Sequence, residues 1–299
     1  EMIAVLLLAF GGPATLDEVE FFLTSVMSGR KLTAEQLEKV KERYKLIGGS
    51  PLPRITFNQA KLLEEKLNKD FKVYVGFRHS HPTIEEAVNQ VAKDKIEKVI
   101  VLSLAPYYSK VTTAEYIAEL ERVIKKIQAN FKITVARHLA THPLYIECVV
   151  EKIEEGLKKF PAEERNEVQI IFSVHSIPQK FIDKGDPYLE QVKASIEGIL
   201  KVLRLPNWHL VFQSRGAGED KWLEPEVKIV LDNLAEKKVK NILLIPLSFI
   251  SDNLEILYDV DIVYRNYAES KGMRFFRSET LNLTPKFIDT LAEIVRESL

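Results

Sequence analysis

A single cysteine, Cys148, stands in a chain of 299 residues. One thiol excludes an internal disulfide and a zinc site built from thiolates alone. It also excludes an iron–sulfur cluster held by four protein cysteines, and it fits a reducing cytoplasm. Long apolar runs are missing too. The longest near the start, Met2 to Phe10, is far too short to cross a bilayer. It has no basic stretch before it and no cleavage site after it, so it does not read as a signal peptide. Neither sign of charge is in excess: 42 Lys and Arg stand against 43 Asp and Glu, for a net charge of −1. That balance argues against nucleic acid or an anionic membrane as a partner. The three-glycine dinucleotide pattern is absent, and Gly11-Gly12-Pro13 does not supply it. A Walker sequence and a Gly-x-Ser-x-Gly elbow are absent as well, which weakens nucleotide and hydrolase readings.

What is present is alternation. Hydrophobic residues make up 46% of the chain, enough for a sizeable core. Strands are predicted at Ile3–Phe10, Lys72–Arg78, Lys98–Ala105, Lys132–His138, Glu167–His175, Trp208–Ser214, Asn241–Ile250 and Arg274–Arg277. Capping boxes at Thr15, Thr33, Thr56, Thr83 and Thr112 each place Glu or Gln three residues on and open helices between them. Gly48-Gly49 stops the second helix, and Ser50-Pro-Leu-Pro53 reads as a rigid connector to the third. Later helices start at Pro143, Asp186-Pro187, Glu224-Pro225 and Thr284-Pro285. Such alternation means parallel sheets covered by helices on both faces, an α/β protein. The strands fall into two sets of four, which predicts two similar domains, residues 1–142 and 143–299, with the terminal helix able to pack back on the first. The amphipathic piece Val19–Met27 reads as a helix bordering a pocket, or as a peripheral membrane contact at most.

Ligands of open α/β sheets bind beyond the carboxyl ends of the strands, and the chemistry-bearing residues gather at those ends. After the strand Asn241–Ile250 the chain turns at Ser251-Asp252 and enters a helix. Glu255 and Asp259 share one face of that helix, and Asp252 precedes Glu255 by three residues. Asp252 and Glu255 have the spacing of an N-cap and its N3 carboxylate. Equally, acids in a row at a strand–helix junction can hold a cation or accept protons. His175, within Ser173-Val-His-Ser-Ile-Pro178, ends another apolar strand and is either structural or a proton-transfer group. His79 and His81 could chelate as alternate strand residues. With Pro82 ending the strand and no acid adjacent, they read as loop polar groups, and Arg78 is the better site for an anion. His138 and His142 have no partner in the sequence, and His209 reads as surface or core.

These residues together resemble the ferrochelatases. The resemblance runs through almost the whole chain. Its marks are Leu6-Leu-Leu-Ala-Phe-Gly-Gly-Pro13, Ile47-Gly-Gly-Ser-Pro51, Gly76-Phe-Arg78 with His81-Pro82, and Pro106-Tyr-Tyr-Ser109. They continue with Ser173-Val-His-Ser-Ile-Pro178, Gln213-Ser-Arg215 with Trp222-Leu223, and Ser251-Asp-Asn-Leu-Glu-Ile-Leu-Tyr258. The resemblance implies two Rossmann-like domains, each with a four-stranded parallel sheet, around a cleft, as in class II chelatases. It implies insertion of Fe2+ into a porphyrin, protoporphyrin IX or coproporphyrin III, with iron as substrate and no tightly bound cofactor. His175 matches the family's active-site histidine and Glu255 the carboxylate facing it across the macrocycle. Both are candidate metal contacts, with Asp259 a further one. Phe10, Arg78, Tyr107, Phe249 and Ser251 match positions lining the porphyrin. Asn253 stands where many members have histidine, and Val263 shortens the acidic row. A bacterial-type cytoplasmic enzyme without an iron–sulfur cluster is expected. The competing readings are a cobalt or nickel chelatase for another tetrapyrrole, and a haem- or porphyrin-binding carrier that catalyses nothing.

Overall fold

The computed structural model describes residues 1–299. Its strands are β1 (Ile3–Ala9), β2 (Phe71–Phe77), β3 (Lys98–Ser103), β4 (Lys132–Val135), β5 (Gln169–His175), β6 (Trp208–Gln213), β7 (Asn241–Pro246) and β8 (Arg274–Arg277). The α-helices are α1 (Val19–Val26), α2 (Ala34–Ile47), α3 (Leu52–Lys66), α4 (Ile84–Lys93), α5 (Thr113–Ile127) and α6 (Pro143–Leu157). They continue with α7 (Gln179–Asp183), α8 (Tyr188–Val202), α9 (Val227–Glu236), α10 (Arg265–Ser270) and α11 (Pro285–Glu297). The strands form two four-stranded sheets, ordered β2-β1-β3-β4 and β6-β5-β7-β8, and every pairing is parallel. The α/β class and the two parallel sheets are as the alternation predicts.

The two halves repeat one topology. In the first sheet Ala9 pairs with Phe77, whose N–H donates to the Pro82 carbonyl. In the second, Val174 pairs with Phe212, whose N–H donates to the Pro225 carbonyl. These matching bonds align Ala9 with Val174. Phe10 therefore stands in the first half where His175 stands in the second.

The inner strands are buried on both faces because helices cover both. Ala4, Leu6 and Leu8 of β1 pack with Ile84, Val88 and Val91 of α4 and with Tyr116, Leu120 and Val123 of α5. Val5 and Leu7, on the other face, are equally buried. In the second half Ile242 and Leu244 of β7 pack with Leu231 and Leu234 of α9 and with Ile256, Val260 and Tyr264. Each such aliphatic side chain contributes about 1.5–3 kcal/mol by leaving water. By their contacts the residues form two compact units: Glu1–Leu139 with Ser251–Asn253 and Asn282–Leu299, and Ala140–Ile250 with Leu254–Leu281. In the first unit α11 lies against α3, with Lys66 and Asp289 paired at 2.9 Å. No helix is long and apolar enough to cross a membrane.

Four local expectations are corrected. The third helix starts at Leu52, not Thr56. Pro51 and Pro53 occupy its cap and first turn, where a missing N–H costs nothing, and Thr56 bonds back to the Leu52 carbonyl at 2.8 Å. β7 ends at Pro246 rather than running to Ile250, since proline offers no N–H to carry the ladder on. The helix expected after Thr112 forms as α5, but the capping box there does not: Thr112 makes no side-chain cap bond, and its buried hydroxyl has no partner. The α-helix expected after Ser251-Asp252 is instead a π-helix, Glu255–Tyr264, continued by α10.

One turn is tight enough to predict a phenotype. Gly49 has φ +84°, and a Cβ there would lie 2.0 Å from the Ala14 carbonyl oxygen. Neither partner is a flexible side-chain end, so Gly49→Ala should cost about 2–4 kcal/mol. The measurement is the denaturant midpoint; an unshifted midpoint would show that the turn opens freely.

Candidate active site

His175 is the last residue of β5. Its backbone is fixed from two sides: its N–H donates to Ser248 Oγ at 2.9 Å, and its carbonyl accepts from the Tyr188 hydroxyl at 2.7 Å. The ring is fixed separately. Nδ1 lies 2.6 Å from the Ser176 carbonyl oxygen. A carbonyl only accepts, so Nδ1 carries a proton, and in the neutral ring the lone pair is on Nε2. That nitrogen is the one able to take a proton or touch a metal. The Phe249 ring stands edge-on to the imidazole, with centroids 6.3 Å apart.

Glu255 opens the π-helix in the same compact unit. Part of the residue stays accessible, but burial of its carboxyl dominates and raises its pKa above the ordinary value. The charge of His175 pulls it down, and Asp259 adds to the rise. The imidazole and the carboxylate thus act on each other electrically, and the acid beside them makes a second negative charge unwelcome.

A chain of hydrogen bonds sets this geometry. Ser173 Oγ donates to Gln213 Oε1 at 2.7 Å, and Gln213 Nε2 donates to Ser214 Oγ at 3.1 Å and to the Glu255 carbonyl at 3.2 Å. Ser214 Oγ in turn donates to Asp259. Ser214 N–H donates to the Tyr264 hydroxyl at 3.3 Å. Burial, then Asp259, pushes the Tyr264 phenol up to about 12. Arg277 grips Asp261 with two parallel bonds, 2.7 and 2.9 Å.

The structure therefore brings together His175, Phe249, Glu255 and Asp259. The other predicted residues belong to the first unit. Phe10 stands edge-on to His79 at 4.6 Å and to Phe22 at 5.9 Å. Arg78 pairs with Glu115 at 3.1 Å, and its buried Nε has no partner. Tyr107 is buried, and the Ser251 hydroxyl accepts from Gln59 Nε2 at 3.2 Å. Asp252 is tied to Asn282. Its N–H donates to Asn282 Oδ1 at 3.0 Å and its carboxylate accepts from Asn282 Nδ2 at 3.3 Å, while Leu254 precedes the π-helix without a side-chain cap bond.

Four of the five other histidines have hydrogen-bond partners. His79 is buried, accepts or donates at 2.8 Å with Ser25, and burial followed by the Arg78 charge lowers its pKa to about 4. His81 has no acid adjacent in sequence but pairs with Glu86, five positions away. His142 caps α6 through Leu144 N–H at 3.2 Å, and His209 meets Gln169 at 2.9 Å. No group of three or more His, Cys, Asp and Glu side chains is arranged to chelate a metal. A groove of about 530 Å³ between α3, β2 and α4 contains none of the candidate residues. Sequence reasoning missed the supporting roles of Gln213, Ser214 and Arg277. Their signal was placement: each sits at or just past the carboxyl end of a strand.

The family model for ferrochelatase matches residues 2–299. Ferrochelatase of Geotalea uraniireducens is 41% identical over 317 residues, spanning 100% of this chain and 98% of that protein. Ferrochelatase of Aquifex aeolicus is 37% identical over 311 residues, spanning 99% of each. Among solved structures, SirB from Bacillus subtilis with Fe3+ matches with a TM-score of 0.65 at 12% identity, covering 100% of this chain and 96% of that one. The cobalt complex of the sirohydrochlorin chelatase SirB from Bacillus subtilis subspecies spizizenii matches with 0.64, also at 12% identity, covering 100% and 95%. At such low identity this likeness speaks to the fold, that of a class II chelatase.

Proposed function

The chain belongs to the ferrochelatase family, and from that premise we propose that His175 and Glu255 are the groups through which it metallates protoporphyrin IX or coproporphyrin III. The chain is a ferrochelatase, a lyase that inserts iron into porphyrin in haem biosynthesis. A free-base porphyrin must lose two N–H protons for each divalent iron it accepts. His175 Nε2, with its lone pair free, takes one of them. Glu255 takes the other from the opposite face of the ring. A carboxylate whose pKa is raised by burial is a better proton acceptor than an exposed one. Asp259 offers the next acceptor along the helix, and the Phe249 ring stands beside the imidazole. Iron sheds water more easily against transient imidazole and carboxylate contacts. A set of donors too sparse to chelate lets the metal pass on to the ring.

The observation that carries this reading is the His175 ring held through Nδ1 on the Ser176 carbonyl, which leaves Nε2 to take and give the proton, in the same unit as a buried carboxyl that responds when the ring is charged. The test is anaerobic incubation with ferrous iron and each porphyrin, followed by absorbance. Metalloporphyrin forming no faster than without protein would end the proposal, and the faster porphyrin identifies the substrate. Asp252 lies outside the proposed chemistry. Asp252→Ala should cost about 1 kcal/mol through the lost Asn282 bond and leave turnover within twofold. A large fall in turnover at unchanged stability would give that carboxylate a chemical role.

A further inference from the structure

A π-helix of ten residues is uncommon, because the i→i+5 bond is usually confined to a single turn. Glu255–Tyr264 must therefore be held by contacts outside itself. Two come from the end of β6: Gln213 on the Glu255 carbonyl and Ser214 on Asp259. The third comes from β8, which pairs with β7 at the other edge of the sheet. There Arg277 Nε meets Asp261 Oδ1 at 2.7 Å and Nη2 meets Oδ2 at 2.9 Å. Arg277 is 8% exposed, and its Nη1 also donates to the Ser278 carbonyl at 3.3 Å and lies 3.5 Å from Glu279. Residues two apart on a helix do not share a face. Asp261 thus offers a flank that carries no candidate site residue, and Arg277 grips it from there. A guanidinium fork fixes angle as well as distance, which the point charge of a lysine cannot do.

We propose that Arg277 is a positioning residue for metal insertion: its fork on Asp261 holds this segment in π geometry and so sets where Glu255 and Asp259 stand relative to His175. Released, the segment can relax toward the commoner i→i+4 pattern, whose tighter turn rotates each acid relative to the next. The inference rests on the reading of Glu255 as a proton acceptor, and Arg277 itself touches no reacting atom.

The test uses Arg277→Lys and the nearly isosteric Asp261→Asn, which carries the experiment if the first variant folds poorly. Both should lower kcat for ferrous iron insertion by about 10–100-fold, with the porphyrin KM within twofold of wild type. On a Glu255→Gln background, Arg277→Lys should cost less than it does alone, because the Glu255 carboxylate is already gone and only the placement of Asp259 is left to lose. Amide hydrogen exchange at 255–264 should speed up by about tenfold or more while β7 amides stay protected, a readout that needs no turnover. Wild-type kcat in both variants overturns the proposal. So do rate losses that add to that of Glu255→Gln with unchanged exchange, since Arg277 would then only prop the fold. A wild-type protein that fails to metallate porphyrin overturns the functional reading itself, and is distinguishable because no variant enters that comparison.

Discussion

His175→Ala should lose about two to four orders of magnitude in kcat, the range expected when a proton-transfer group is removed, while the protein stays folded. The fold should survive because the backbone at this position is held without the side chain. Ser248 accepts the His175 N–H and Tyr188 donates to its carbonyl whether or not a ring is present. What the side chain gives up is one bond to the Ser176 carbonyl and an edge contact with Phe249. These together are worth about 1–2 kcal/mol in a half-buried position. The substitution also acts on its neighbour. The His175 charge lowers the Glu255 pKa, so without it that carboxyl should rise further. Absorbance of the metallated ring gives the rate, and a denaturant melt gives the stability. Turnover near wild type would remove His175 from the mechanism. Turnover lost together with the fold would leave it a structural residue.

The sequence carried the sheets plainly because parallel strands buried on both faces are continuous apolar runs, and β1 and β7 are such runs. The capping boxes at Thr33 and Thr83 formed as read, each with reciprocal bonds to the residue three on. The box read at Thr56 failed because a threonine can equally bond back to the carbonyl four residues before it, as it does to Leu52. The π-helix was the larger miss, yet a trace of it is in the spacing. Ile256, Val260, Tyr264 and Ala268 are all buried and repeat strictly every four residues. On an α-helix such a repeat drifts by about 40° per step, so the stripe would leave the core within three steps. A wider turn keeps it in register, and keeps Glu255 and Asp259 aligned as well. The histidine and the carboxylate were legible as residue types at strand ends. Their supports were not, because Gln213 and Ser214 act through partners about 40 positions away and Arg277 through Asp261 on another element.

Glu255→Gln should separate activity from stability in opposite directions. Turnover should fall by about two to four orders of magnitude, since glutamine cannot accept a pyrrole proton, while porphyrin binding should change little because the side chain keeps its shape. Stability should move the other way at neutral pH. The folded carboxyl titrates above its ordinary value of 4.5, chiefly because burial disfavours its charge. Between that value and the raised one, the folded state holds a proton that the unfolded chain has released. The native state then binds more protons, so wild-type stability falls as pH rises through this window and the full penalty remains above it. Glutamine does not ionise and escapes the penalty. The variant should therefore be more stable than wild type at pH 7, and the difference should vanish as pH falls below 4.5, where both side chains are neutral. Melts at paired pH values read this directly. A slower but more stable variant is the mark of a charge kept for chemistry at the expense of the fold. A variant that is active would show that the proposed proton acceptor lies elsewhere, and one that is less stable than wild type at pH 7 and no different at low pH would show that the carboxylate's charge stabilises the fold.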